Sequence, residues 1–212
     1  MCISGTEGAE GDAVARLVAD GLGFLLVDEA IVARAAQAAG VEPEVVADVE
    51  LRKSFLKRLL DDLGSSAGVS ALAAGGGFIP PVDELSPSDE LRVLIRAAIE
   101  ETAARGSAVI VAHAASIALG ERDDVLRVLV TGSADVRRRR LIETSGLSEE
   151  KAAAALKASD AGRASYLRTF YGVSDERPTQ YDLVVNTDRL TPAAAASLVV
   201  QACEAGARPA QA

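Results

Sequence analysis

Residues 1–28 read MCISGTEGAEGDAVARLVADGLGFLLVD, and the order of patterns within them decides the fold. An apolar start over 1–4 leads into a turn bearing Gly5, Gly8 and Gly11. Asp12 then stands as a candidate N-cap for a helix running to about residue 20, with Val14, Leu17 and Val18 on one face. Gly21 and Gly23 end that helix. Residues 24–27 (FLLV) form a continuous apolar run, as expected of a strand covered on both faces. Strand, glycine turn, helix and strand together open a parallel α/β sheet.

The rest of the chain repeats the alternation. Asp28 is a candidate cap for a second helix over 29–39, and 43–63 has helical patterning. Residues 64–85 are rich in Gly, Ser and Ala and contain Gly75-Gly76-Gly77 and Pro80-Pro81, which predicts a flexible loop. A helix is expected over 89–104, opened by Ser86 or Ser88. AVIVA at 108–112 and VLRVLV at 125–130 are the clearest strands. Ser133 opens a helix through Arg137 and Arg140 to Glu143, and Ser148 opens a long Ala-rich one to about residue 170. YDLVVN at 181–186 is a last strand, and Pro192 begins a final helix ending near Gly206.

The expected fold is α/β and three-layered. It has about five parallel strands, helices on both faces and a helical lid or insertion. One domain covers 1–206, with a helical insertion at 43–105 around the 64–85 loop, lid-like helices at 133–171, and a tail at 207–212. Ligands in such sheets sit beyond the carboxyl ends of the strands. That directs attention to the 5–11 turn, Asp28, His113, Thr131 and Asn186.

Composition narrows the chemistry. Twenty-two Lys and Arg against 31 Asp and Glu give a net charge of -9, which argues against general nucleic-acid binding. A local arginine cluster can still hold one small anion. Cys2 and Cys203 lie near opposite ends of the chain and form neither a disulfide framework nor a metal spacing. A single histidine, His113, argues against a multi-histidine metal site and a Ser/His/Asp triad. No apolar run approaches a membrane span, and nothing reads as a signal peptide, so a soluble cytoplasmic protein is expected. The expected ligand is a nucleotide or other small anion, with no nucleic acid or membrane. A homodimer or protein partner stays open.

The glycine turn has the position of a phosphate loop, where backbone N–H groups and a helix N-terminus face an anion. Its residues do not follow the G-x-x-x-x-G-K-[ST] pattern, because Asp12 follows the last glycine. The same residues also fit an exposed turn with an N-cap.

Five stretches resemble the cytidylate kinase-like family, a branch of the P-loop nucleoside monophosphate kinases. They are ISGTEGAEGDAVARLVADGLGF, LLVDEAIVARAAQAAGV, ELSPSDELRVLIRAAIEETAARGSAVIVAHAASIAL, VLRVLVTGSADVRRRRLIETSGLSEEKAAAALKASDAGRASYLRTFYGV and YDLVVNTDRL. Together they span nearly the whole chain in the family's order. The resemblance implies ATP and Mg²⁺ as cofactors and a CMP-like acceptor, if the protein is active. It implies that Arg137, Arg140, Asp160 and Arg163 carry phosphoryl transfer by positioning and charge stabilisation. It places Gly8, Gly11, Asp12 and Asn186 at the ATP side, and Asp28 and His113 at the acceptor side. Arg137 and Arg140 also fit a solvated helix face. Tyr166, Phe170 and Tyr171 match an aromatic run of the family and are read as packing.

Three departures from the family share a direction. Gly8-Ala9-Glu10-Gly11-Asp12 stands where the family has Gly-Ser-Gly-Gly and a basic residue. His113 replaces an arginine, between Ala112 and Ala114 instead of glycines. Thr144 replaces another arginine. A carboxylate ~4 Å from a phosphate costs about 1 kcal/mol in water and nearer 4 at an effective dielectric of ~20. A helix N-terminus returns only about 0.3–1 kcal/mol. The residues therefore favour a degenerate, catalytically weak or silent member acting through nucleotide, metabolite or protein binding. The alternative is an active ATP-dependent nucleoside monophosphate kinase.

Overall fold

The computed structural model describes residues 1–28, 89–112, 114–120 and 122–206. The helices expected over 29–39 and 43–63, the 64–85 loop, His113 and the 207–212 tail lie outside the described residues.

Five strands form one parallel sheet: β1 (Cys2–Gly5), β2 (Leu25–Asp28), β3 (Ala108–Val111), β4 (Arg127–Thr131) and β5 (Leu183–Asn186), in the order β2-β3-β1-β4-β5. β1 is central, and Cys2, Ile3 and Ser4 are all buried, as a strand with neighbours on both edges and layers on both faces must be. The chain leaves β1 toward one edge and later returns to build the other. Such a reversal of winding opens a crevice at the carboxyl end of the central strand.

The described helices are α1 (Gly11–Leu22), α2 (Asp89–Arg105), α3 (Ala115–Ala118), α4 (Ala134–Ser145), α5 (Glu149–Tyr171) and α6 (Pro192–Gly206). Their ends follow the sequence signals closely. Ser133 and Ser148 accept the N–H groups of Val136 and Lys151, and Gly146 and Gly172 close α4 and α5 in the left-handed conformation. α3 and a 3₁₀ turn at Pro178–Gln180 had no clear sequence signal.

The core matches a chain poor in aromatics. Ile3, Val109, Val128, Val130 and Val185 from the sheet meet Val14, Ala15, Val18 and Ala19 of α1 and Ala195, Ala196 and Val199 of α6. Small side chains on both helices let α1 and α6 approach closely, so packing comes from proximity and not from large rings.

The start of α1 corrects one expectation. Asp12 is not the cap; it is exposed in the first turn. Glu10 takes the cap position in a left-handed conformation (φ 62°) and makes no side-chain cap hydrogen bond. The cap thus lies at Glu10 and not Asp12, so the helix begins two residues earlier than expected, at Gly11.

Candidate functional site: a glycine loop braced by three arginines

The loop between β1 and α1 lies at the carboxyl end of the central strand. Its glycines set its shape. A Cβ on Gly11 would lie 3.0 Å from the Gly5 Cα, so the two ends of the loop meet backbone to backbone. Gly8 has φ +75°, and a Cβ there would lie 2.7 Å from the Arg137 carbonyl oxygen. The ring is therefore glycine-dependent at three points. Glu10 breaks the pattern, since a side-chain-bearing residue in that conformation costs roughly 1 kcal/mol.

Several loop carbonyls point outward into donors from the far half of the chain. Arg137 Nε donates to the Glu7 carbonyl at 2.6 Å. Arg140 Nη1 reaches the Gly8 carbonyl at 3.4 Å, and Arg163 Nη1 reaches that of Gly5 at 3.5 Å. The Thr187 hydroxyl lies 3.0 Å from the Ala9 carbonyl and 3.2 Å from that of Thr131, and its one hydrogen serves one at a time. The sequence shows an Arg-rich helix; only the fold turns two of its arginines onto the first loop of the chain.

Each arginine also has a carboxylate. Arg137, 6% exposed, forms a fork with Asp160 at 2.6 and 3.1 Å. Arg163, 7% exposed, grips Glu176 at 2.6 and 2.7 Å. Arg140 meets Glu10 at 3.1 Å and also donates to Thr187 at its Oγ1 and carbonyl oxygen. The Tyr181 hydroxyl donates to Glu176 and lies near Arg163. Burial and the adjacent Glu176 carboxylate push the Tyr181 pKa up to about 12. Burial works to lower the Arg163 pKa, but its bonds to Glu176 and the nearby Tyr181 shift it upward overall.

The structure therefore brings Gly8, Gly11, Arg137, Arg140, Asp160 and Arg163 together. Asp12 stands at the loop's exit. Asn186 ends β5 in register with Thr131 of β4, and its side chain accepts the Asp188 N–H at 2.8 Å. Asp28 ends β2, two strands from β1, which is roughly 10 Å away at the usual strand spacing. Thr144 is exposed and donates to the Arg140 carbonyl at 2.8 Å. Tyr166 stacks with Phe170 and Tyr171 at ring-centroid distances of 5.1 and 6.0 Å. A solvated face is the wrong description of Arg137, which is buried. Glu176 and Tyr181 were missed as site residues. A buried arginine demands a carboxylate, but no local spacing says which one the connection after α5 will deliver.

A five-stranded parallel sheet in this order, with a glycine loop leading from its central strand into a helix, defines a P-loop kinase-like α/β protein. The sequence profile of the cytidylate kinase-like family matches residues 1–189, and the chain belongs to that family. No curated protein matches it. An uncharacterized protein from Eubacterium ventriosum ATCC 27560 has a similar structure, with a TM-score of 0.63, 15% identity and 98% of each chain covered. TT1252 from Thermus thermophilus gives a TM-score of 0.50 and 20% identity, over 98% of this chain and 97% of that one. At these identities the likeness concerns the fold.

Proposed function

We propose that this protein is a cytidylate kinase-like member that transfers phosphoryl groups weakly or not at all, and that it acts by binding a nucleotide, a metabolite or a protein. The observation that carries this is the commitment of its arginines. Arg137, Arg140 and Arg163 each hold a carboxylate and reach a loop carbonyl. Phosphoryl transfer needs cations that face the transferring group. Around this loop the three guanidiniums are accompanied by Glu7, Glu10, Asp12, Asp160 and Glu176, so the surroundings are net acidic. The fit to ATP and Mg²⁺ is thus divided. The glycine ring keeps a tight backbone turn at the helix start, but the charges around it oppose a triphosphate.

The test is calorimetry with ATP and CMP, with and without Mg²⁺, beside a phosphoryl-transfer assay. No turnover and no ATP binding at micromolar concentration are expected. Turnover typical of a working kinase would overturn the proposal, and micromolar ATP affinity would overturn the argument that the loop's charges repel a triphosphate. One observation favours the alternative of an active ATP-dependent nucleoside monophosphate kinase: the closed glycine ring, with Gly8 in its left-handed conformation, keeps the form of a phosphate loop. In that reading Asp28 and His113 would serve the acceptor and Asn186 the ATP side. An Asp12→Lys variant that gains ATP binding would show that the loop's shape is intact and only its charge is wrong.

A further inference from the structure

We infer that Glu10 is a latch, a carboxylate tethered to the loop that holds Arg140, and with it α4, closed over the loop. This rests on the reading above that the loop's cations are committed internally. Three observations converge on this residue. Glu10 occupies a left-handed backbone position that suits glycine, so it keeps its conformation at a cost. Its carboxylate takes the Arg140 Nε at 3.1 Å, while Nη1 goes to the Gly8 carbonyl and Thr187 Oγ1, and Nη2 to the Thr187 carbonyl. Every nitrogen of that guanidinium therefore has a protein contact and only one Nη2 N–H is left over, so an anion that grips Arg140 by two parallel hydrogen bonds must displace one of them.

Glu10 is the partner that can leave. Its side chain is 38% exposed and that of Arg140 19%, whereas the Arg163 and Glu176 side chains are 8% and 20% exposed. Thr187 is wholly buried, so it cannot withdraw without disturbing the end of β5. Glu10 can swing into solvent by side-chain rotation alone. Its exchange would free one edge of Arg140 and leave the Arg137–Asp160 and Arg163–Glu176 pairs in place. The latch is thus the one of the three ion pairs whose carboxylate belongs to the loop itself, and its arginine is the most exposed of the three.

The experiment compares Asp12→Lys with E10G/D12K and E10Q/D12K, using ATP and Mg²⁺ as the probe and calorimetry as the readout. The latch predicts at least about tenfold tighter binding in both double variants than in Asp12→Lys alone. Equal affinity in all three, or no detectable binding in any, overturns it. A gain with Gly but not Gln also overturns it, because backbone relief and not the carboxylate would then be the cause. A second readout needs no nucleotide. Phenylglyoxal modification of Arg140, followed by mass spectrometry, should be several-fold faster in Glu10→Gln than in the unaltered protein, and an unchanged rate overturns the latch. Thermal melting within a few degrees of the parent checks that each variant folds. Phosphoryl transfer by the unaltered protein would overturn the proposed silence, while the comparison of variants would still judge the latch.

Discussion

The two ends of the sheet use the same ion pair to different effect. At the carboxyl end Arg163 meets Glu176 at 2.6 Å, and at the amino end Arg122 meets Asp124 at 2.6 Å. The distances agree, but the surroundings do not. The first pair's side chains are 8% and 20% exposed, the second's 39% and 63%. Arg163 also reaches a loop carbonyl and the Tyr181 hydroxyl, whereas the Arg122 pair spans two residues of one exposed turn. Short distances therefore say little about worth. Burial and the number of distant segments joined decide it.

Substitutions at the two ends test this contrast. Arg163→Ala has the largest expected effect, because it strands Glu176 in a poorly solvated place. A loss of about 3–5 kcal/mol is expected. Thermal denaturation should show this as a fall in Tm of roughly 10 °C for a chain of this size. A fall of less than 2 °C would mean that Glu176 finds water or another partner.

Gly8→Ala comes next. It puts a Cβ at a positive φ and against the Arg137 carbonyl, so about 2 kcal/mol should be lost in urea unfolding. A neutral result would show that the ring opens easily. Arg137→Lys should cost about 1 kcal/mol in the same measurement. The planar fork to Asp160 and the bond to the Glu7 carbonyl are lost together, while the charge remains, and the half-exposed Asp160 can turn to water.

The pH dependence is smaller and has a definite sign. The Tyr181 pKa is raised from 10.0 to about 12, so folding favours the neutral phenol. Its contribution is whole below pH 10 and is lost as pH rises from 10 toward 12. Cys2, pushed by burial from 9.0 to about 12, acts in the same direction. Tyr181→Phe should flatten the alkaline fall in stability measured by urea titration and leave the Cys2 share. An unchanged slope would place the titration elsewhere. The smallest effect is expected at the amino end, where Arg122→Ala should leave Tm unchanged within error. A measurable fall there would break the contrast between the two ends.

Much of the scaffold was legible in the sequence. AVIVA announced a strand because a strand covered on both faces must be apolar throughout; YDLVVN announced one by its short Leu-Val-Val run, although at the sheet edge Val184 stays exposed. Ser133, Ser148 and Gly23 announced helix ends because unpaired backbone groups need those residues. The site was legible only in part. Arg137, Arg140, Asp160 and Arg163 were found through the family resemblance, but their partners were not. Asp160 and Arg163 lie one turn apart on α5, yet they bind different residues, Arg137 and Glu176. Helical spacing puts two side chains on one face; it does not say that they choose each other.

The sequence by itself determined the alternation of strand and helix, the glycine loop, the acidic character of that loop and the family. These follow from local chemistry: apolar period, backbone freedom at glycine and the count of charges. Only the tertiary structure decided what the charges do. Glu10 reads in the sequence as one more repulsive acid, and in the fold it is the partner of Arg140, 130 residues along the chain. The reason is physical. A buried or half-buried ion pair is chosen by which segments the sheet order brings together, and strand order is a property of the whole chain and not of any stretch within it.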